Sequence, residues 1–271
     1  MVAFPKEFEG ADIVRDGKVF AVSLTPVEAE ALPRPGAHLD RSRYLLAPSG
    51  CPVPRDAVGY MDFKLIESVD LGDFLLAVGE CGAAALLAPE RRNLTVNEIQ
   101  QRGVPAGAVA RLPFKGFDDA GEGIARAPVD GADMMAVYAW RAWGLFALTA
   151  GGRLSVTGWA AQCSHEPPRM WVGAQGEDAE AIRRTGRFAL SLLAEEQLPV
   201  ARDLARGVQP PAASLKDAGV GVPVLRDCIA HFACEVEGEF GDGGFYGPVT
   251  SFAWDRREAG QLRADQLGAS G

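Results

Sequence analysis

Two adjacent glycines, Gly151-Gly152, most constrain what this chain can fold into. They lie between the apolar run Leu145-Phe146-Ala147-Leu148 and a second strand-like segment that begins near Arg153. Gly-Gly between two such runs signals a tight β-hairpin, because both turn residues must take positive φ. The segment beyond it is unusual for a strand. Thr157, Gly158, Trp159, Gln162, Cys163 and Ser164 set small, hydroxyl and amide groups beside one large ring, and Pro167-Pro168 ends the run. This composition predicts a polar loop that can hold a flat ligand.

The flanking segments read mostly as strands. Met170-Trp171-Val172 is expected to leave the proline pair as a strand, and Glu177 or Asp178 to cap a helix that stops at Gly186. A strand over Arg187–Leu193 follows, then a helix from about Ala194 to Arg206 with Leu198, Ala201, Leu204 and Ala205 on one face. In Gly221–Trp254, Phe232, Cys234 and Val236 alternate ahead of the turn Gly241-Asp242-Gly243-Gly244. Upstream, Lys18–Leu24 and Tyr44–Ala47 read as strands, and Ala57–Cys81 as a hairpin turning at Asp70-Leu71-Gly72-Asp73. Thr95 and Glu98 have capping-box spacing for a short helix ending near Gly103. Lys115–Asp133 mixes Gly, Asp and Pro with little apolar pattern, as an exposed connection does, so two domains are expected, 1–122 and 123–271. The fold class expected is mainly β with short helices.

One internal similarity stands out. Setting Gly72-Asp73 over Gly241-Asp242 places GYMDFKLIES beside AHFACEVEGE, which suggests a duplicated hairpin unit.

Composition narrows the function classes. With 48% apolar and 23% charged residues and a formal charge of −9, the chain is expected to be a soluble acidic protein that binds neither nucleic acid nor an anionic membrane. The start MVAFPKEFEG has no long apolar core behind a positive region, and Phe74–Pro89 is too short and too interrupted to span a bilayer, so a cytoplasmic location is expected. Five cysteines without a CxxC pair and three scattered histidines predict a reduced compartment and no metal site. His165 beside Glu166 reads as a solvated loop residue, His231 as a structural strand residue and Cys163 as a buried thiol, each weighed against a chemical role. Trp140 and Trp143 line a pocket, an interface or a buried barrel edge.

Taken in order, the segments GLFALTA, VTGWAAQCSHEPP, AIRRTGRFALSLL and GVPVLRDCIAHFACEVEGEFGDGGFYGPV resemble the flavin reductase-like domains of the FMN-binding split β-barrel family. The resemblance covers Trp143–Trp254. It implies a six-stranded antiparallel, Greek-key-like barrel that pairs into a homodimer, with FMN near the interface. It also implies that Ala57–Cys81 belongs to a shortened copy, so that one chain could form an intramolecular pseudo-dimer. By position, the flavin ring and ribityl chain would meet Thr157, Gly158, Trp159, Ala160, Ala161, Gln162, Cys163 and Ser164, and the phosphate would meet Gln175 and Gly176. The implied activity passes electrons from NAD(P)H through flavin to an acceptor, with no side chain as an essential acid or base. Glu177 and Asp178 at the phosphate end keep an alternative open: a split-barrel protein without cofactor that acts as a binding or assembly module. A flavin or haem kept for sensing alone is a third reading.

Overall fold

Antiparallel strands dominate both halves of the chain. The computed structural model describes residues 1–6, 9–29, 40–93, 125–129, 144–218, 221–263 and 266–267. The expected helix at Thr95–Gly103, Trp140, Trp143 and most of the Lys115–Asp133 connection lie outside them. The chain divides into two compact units, Met1–Arg141 and Ala142–Gly271.

The first unit contains β1 (Val2–Pro5), α1 (Glu9–Gly17), β2 (Val19–Leu24), β3 (Tyr44–Leu46), β4 (Pro52–Pro54), β5 (Gly59–Asp70) and β6 (Phe74–Leu86). Its four-stranded sheet has the order β1-β6-β5-β2, and β3 pairs with β4. Phe20 stacks on Phe63, with ring centroids 5.0 Å apart, in a core shared with Val58, Met61 and Ala77. The β5–β6 hairpin turns where Asp70 accepts the amide of Gly72, an Asx turn that needs the positive φ of that glycine.

The second unit contains β7 (Phe146–Ala150), β8 (Arg153–Thr157), β9 (Ala160–His165), β10 (Pro168–Gly173), α2 (Gly176–Thr185), β11 (Arg187–Leu192), α3 (Leu198–Ala205), β12 (Leu215–Asp217), β13 (Pro223–Leu225), β14 (Ala230–Glu235), β15 (Gly238–Phe240) and β16 (Gly244–Trp254). Gly151 and Gly152 turn β7 into β8 with φ of 58° and 89°, as expected of a Gly-Gly hairpin. All five residues of β7 are buried, which explains why it carries apolar residues at four of its five positions rather than alternating. Phe146 and Leu148 join Phe188, Leu190, Phe245 and Ile182 of α2 in one core, while Leu145 and Ala147 join Leu154 and α3 in another.

Strand order explains how this sheet closes. The path runs β8-β7-β11-β14-β16-β10-β9, with β15 also on β16. β16 makes the bend by pairing with β10 through Gly244–Pro248 and with β14 through Val249–Trp254. The strands at the two ends of the path, β8 and β9, are separated in the chain only by Gly158-Trp159. A sheet whose end strands are joined by two residues must curl until those edges meet. The result is a barrel with an open seam at Gly158-Trp159.

Counted with Ala160–His165 and the short Gly238–Phe240, the whole sheet has eight strands. One expectation is corrected. The supposed loop Thr157–Ser164 is therefore mostly β9, paired with β10. Its polar composition hid the strand because a bulge opposite Arg169/Met170 breaks the alternation and buries Cys163 and Ser164 together.

The same registers occur in both units. Val2–Pro5 pairs with Ala77–Phe74 as Met170–Gly173 pairs with Gly247–Gly244. α1 is followed by Lys18 at φ 56° and α2 by Gly186 at φ 65°, whose amides donate to Val14 and Ile182. The Val58 amide donates to the Leu24 carbonyl as that of Ile229 does to Leu192, each at 2.8 Å. The carbonyls of Val58 and Ile229 in turn accept from Leu87 and Ala88 and from Asp255 and Arg256. Leu45 faces Val53 as Lys216 faces Val224.

Candidate functional site

The barrel seam brings the expected ligand-contacting segments together. Val172 pairs with Ala160, and the Gly173 amide donates to the Trp159 carbonyl at 2.7 Å, so Trp159 lies one strand away from the start of α2. Gly173 is small where it must be, since a Cβ there would stand 3.2 Å from that of Trp159. Gln175 and Gly176 follow within three residues. Thr157 accepts the Trp159 amide at 2.9 Å through Oγ1, which fixes the two-residue crossing from β8 to β9.

Other expected residues occupy different positions on β9. Ala160 is buried, Ala161 half-buried and Gln162 exposed. The Gln162 amide donates to the Ser164 carbonyl at 2.9 Å and lies 3.0 Å from Nδ1 of His165. Cys163 and Ser164 are each 1% exposed. The Ser164 hydroxyl donates to the Pro167 carbonyl at 2.6 Å, and the Cys163 thiol faces the Arg169 carbonyl at 3.6 Å. These two side chains hold the β9–β10 turn, whereas Thr157–Trp159 and Gln175–Gly176 line the seam.

The sequence reading missed Arg153. It starts β8, and its guanidinium forms an ion pair with Glu177 in the first turn of α2. The expected carboxylate cap is absent: Gln175 is the N-cap residue and its side chain makes no capping hydrogen bond. The first-turn amides of a helix have no partner within the helix and carry its positive dipole end. Arg153 and Thr157 terminate the same five-residue strand, about 13 Å apart at ~3.3 Å per residue. Arg153 was hidden because the 24-residue separation between it and Glu177 closes up only when β8 and β10 enter one barrel.

A hollow of about 500 Å³ lies away from the seam, lined by Leu204, Gln209, Leu225 and Arg226 among others and by none of Thr157–Ser164. The Gln209 amide accepts from and donates to the Leu154 backbone at 2.8 and 2.9 Å, covering that edge of β8 as a strand would. Among the described residues, no helix is long and apolar enough to cross a membrane.

A family model described as the flavin reductase like domain matches residues 146–262. The second unit carries a flavin reductase like domain. This domain runs from the first residue of β7 to the segment beyond β16 and so contains the whole seam. An NADH-dependent flavin reductase, StyB of Pseudomonas fluorescens, is 37% identical over 79 residues, which cover 27% of this chain and 45% of that protein. The chain thus spans about half the length of this curated relative. The styrene monooxygenase flavin reductase of Pseudomonas putida S12 is similar at 24% identity and a TM-score of 0.41, covering 45% of this chain and 87% of that one. The flavin reductase PheA2 is similar at 20% identity and a TM-score of 0.41, covering 48% and 99%.

The flavin reductase like domain offers a ring-sized side chain, a β-strand seam and an uncapped helix start within one span. These are the elements that a long ligand with a planar end and an anionic end requires.

Proposed function

We propose that the second unit binds FMN along the barrel seam and passes electrons from NAD(P)H through it to an acceptor. The observation that carries this reading is the coincidence of the family match with the closure at Gly158-Trp159, one strand from the start of α2. The residues present fit the cofactor. Trp159 is half-buried at the seam and suited to lie against a planar face, and Thr157 and the backbone of Gly158–Ala161 suit its polar edge. The uncapped amides of Gly176–Asp178 and the guanidinium of Arg153 suit a phosphate. When bound, the flavin supplies the redox chemistry, accepting a hydride from reduced nicotinamide and releasing the electrons in a second step. The chain's own contribution is to orient the ring and keep it at the seam, so no side-chain acid or base is assigned.

The pairing of Glu177 with Arg153 bears on the cofactor-free alternative. That alternative draws on the two carboxylates at the phosphate end and on the shortened first unit, and one of the carboxylates is paired with a cation that a phosphate could recruit. The matching registers of the two units support the reading that Met1–Arg141 is a related copy of part of the same fold. The domain limits, a cytoplasmic location and assembly as a homodimer or pseudo-dimer belong to the same proposal.

As isolated, or after FMN is added, the protein should show the two visible flavin absorbance bands, quench FMN fluorescence and consume reduced nicotinamide. A protein that leaves added FMN fluorescence unchanged rules the reading out. The phosphate end gives a sharper test. Glu177→Lys should tighten FMN at low salt, since it replaces a carboxylate that repels the phosphate with a cation and frees Arg153 of its partner. Arg153→Ala should weaken it, and both effects should shrink as salt is raised. If neither variant changes FMN affinity, the helix start does not hold the phosphate.

A further inference from the structure

Away from the seam, four ionisable side chains meet beneath the end of β16. Cys228 and His231 flank the start of β14, Asp255 follows β16, and Lys216 comes from β12. The Cys228 thiol lies 3.5 Å from Oδ2 of Asp255, His231 Nδ1 lies 3.7 Å from its Oδ1, and Lys216 forms an ion pair with that same oxygen. The sulfur, ring-nitrogen and carboxylate atoms of Cys228, His231 and Asp255 all fall within 4.8 Å of one another. Cys228 is fully buried, His231 is 5% exposed, and its Nδ1 is buried with no hydrogen-bond partner. A buried ring nitrogen without a partner is destabilising.

The first unit shows that the fold does not require this polar group. By the registers given above, the positions of Lys216, Cys228, His231 and Asp255 correspond to Leu45, Ala57, Tyr60 and Leu87. Ala57 and Tyr60 are fully buried there, with Leu45 and Leu87 packed against them in one apolar cluster. The Tyr60 hydroxyl reaches the Pro128 carbonyl at 2.8 Å, so no polar atom is stranded. One architecture thus accepts an apolar plug in one unit and carries a thiol, an imidazole, a carboxylate and an ammonium in the other. Such a buried polar group, costly and unneeded for folding, is the signature of a binding site.

We propose that Cys228, His231 and Asp255 bind a divalent cation of the zinc class, and that Lys216 is the counter-charge that Asp255 holds until the metal enters. The donor set suits that class. Sulfur, imidazole nitrogen and carboxylate oxygen are zinc ligands, and three protein ligands leave a fourth position for water. Bond lengths of ~2.0–2.3 Å in a tetrahedron put neighbouring ligand atoms about 3.3–3.6 Å apart. The Cys228 and His231 contacts, to the two different oxygens of Asp255, are near that spacing. A thiol must give up its proton to ligate a cation, so entry of the metal releases one. Lys216 is a quarter exposed and has a path to solvent once displaced.

The full chain, stripped of metal by a chelator and titrated with cobalt(II), should take up one equivalent. It should develop a thiolate-to-cobalt band in the near ultraviolet with the visible bands of tetrahedral cobalt, and zinc should abolish both. Calorimetry in buffers of different ionisation enthalpy should show about one proton released per metal. Cys228→Ser should lose the charge-transfer band while Cys163→Ser keeps it, and Lys216→Met should tighten binding by roughly tenfold or more. The double variant Cys228→Ala/His231→Tyr, which copies the first unit, should keep its far-ultraviolet circular dichroism and lose the metal. Absence of a thiolate band in both the wild type and Lys216→Met, or its survival in Cys228→Ser, overturns the proposal.

Discussion

Gly243→Ala should destabilise the second unit and displace the start of α2. Gly243 has φ of 98°, where an L side chain is strained by about 1–3 kcal/mol. The larger effect is steric: an added Cβ would overlap the Ala174 carbonyl oxygen, which is backbone and cannot turn aside. The Ala174 amide also donates to the Gly243 carbonyl at 2.8 Å, so the two segments cannot separate without losing that bond. We expect a loss of about 3 kcal/mol or more in urea unfolding. If Gln175–Asp178 holds the flavin phosphate, FMN affinity at low denaturant should fall as well. The first unit supplies a contrast, because its corresponding residue is Asp73, whose φ is not positive. Unchanged stability in Gly243→Ala would show that the β15–β16 turn can move away from α2.

Phe188→Ala should have a similar effect on stability by a different route. Phe188 is fully buried in the core built by Phe146, Leu148, Ile182, Leu190 and Phe245. Its strand pairs on both sides, with β7 and β14, so the backbone cannot collapse into the space left behind. Truncations of this kind cost about 3–5 kcal/mol, a large part of a domain's net ~5–15 kcal/mol. Phe252→Ala, at a position 46% exposed on the same sheet, should cost about 1 kcal/mol or less. Comparable losses in the two variants would mean that the barrel core is not where this unit's stability resides.

Local signals made most elements legible. Gly151-Gly152 marked its hairpin because only positive φ closes so short a turn, and Gly186 marked the end of α2 for the same reason. The expected Glu177/Asp178 cap gave way to Gln175, since Glu177 turns instead toward Arg153. The Ala160–His165 strand escaped notice because its bulge destroys the period of two on which strand reading depends. The internal similarity was visible in the sequence only as a hairpin, although matching registers extend from β1 to β6 and from β10 to β16. Hydrogen-bond geometry can persist when side chains such as Leu45 and Lys216, or Tyr60 and His231, no longer resemble each other.

The sequence by itself determined the mainly β class, the hairpin at Gly151-Gly152 and the ordered set of segments by which residues 146–262 resemble flavin reductases. These depend on φ preferences, alternation and segment order, all of which are local in the chain. Only the tertiary structure decided that β8 and β9 are the two end strands of one sheet, that Arg153 faces Glu177, and that Cys228, His231 and Asp255 share one buried point. Each of these depends on residues far apart in the chain, and their approach is set by how β16 bends the sheet from β14 to β10.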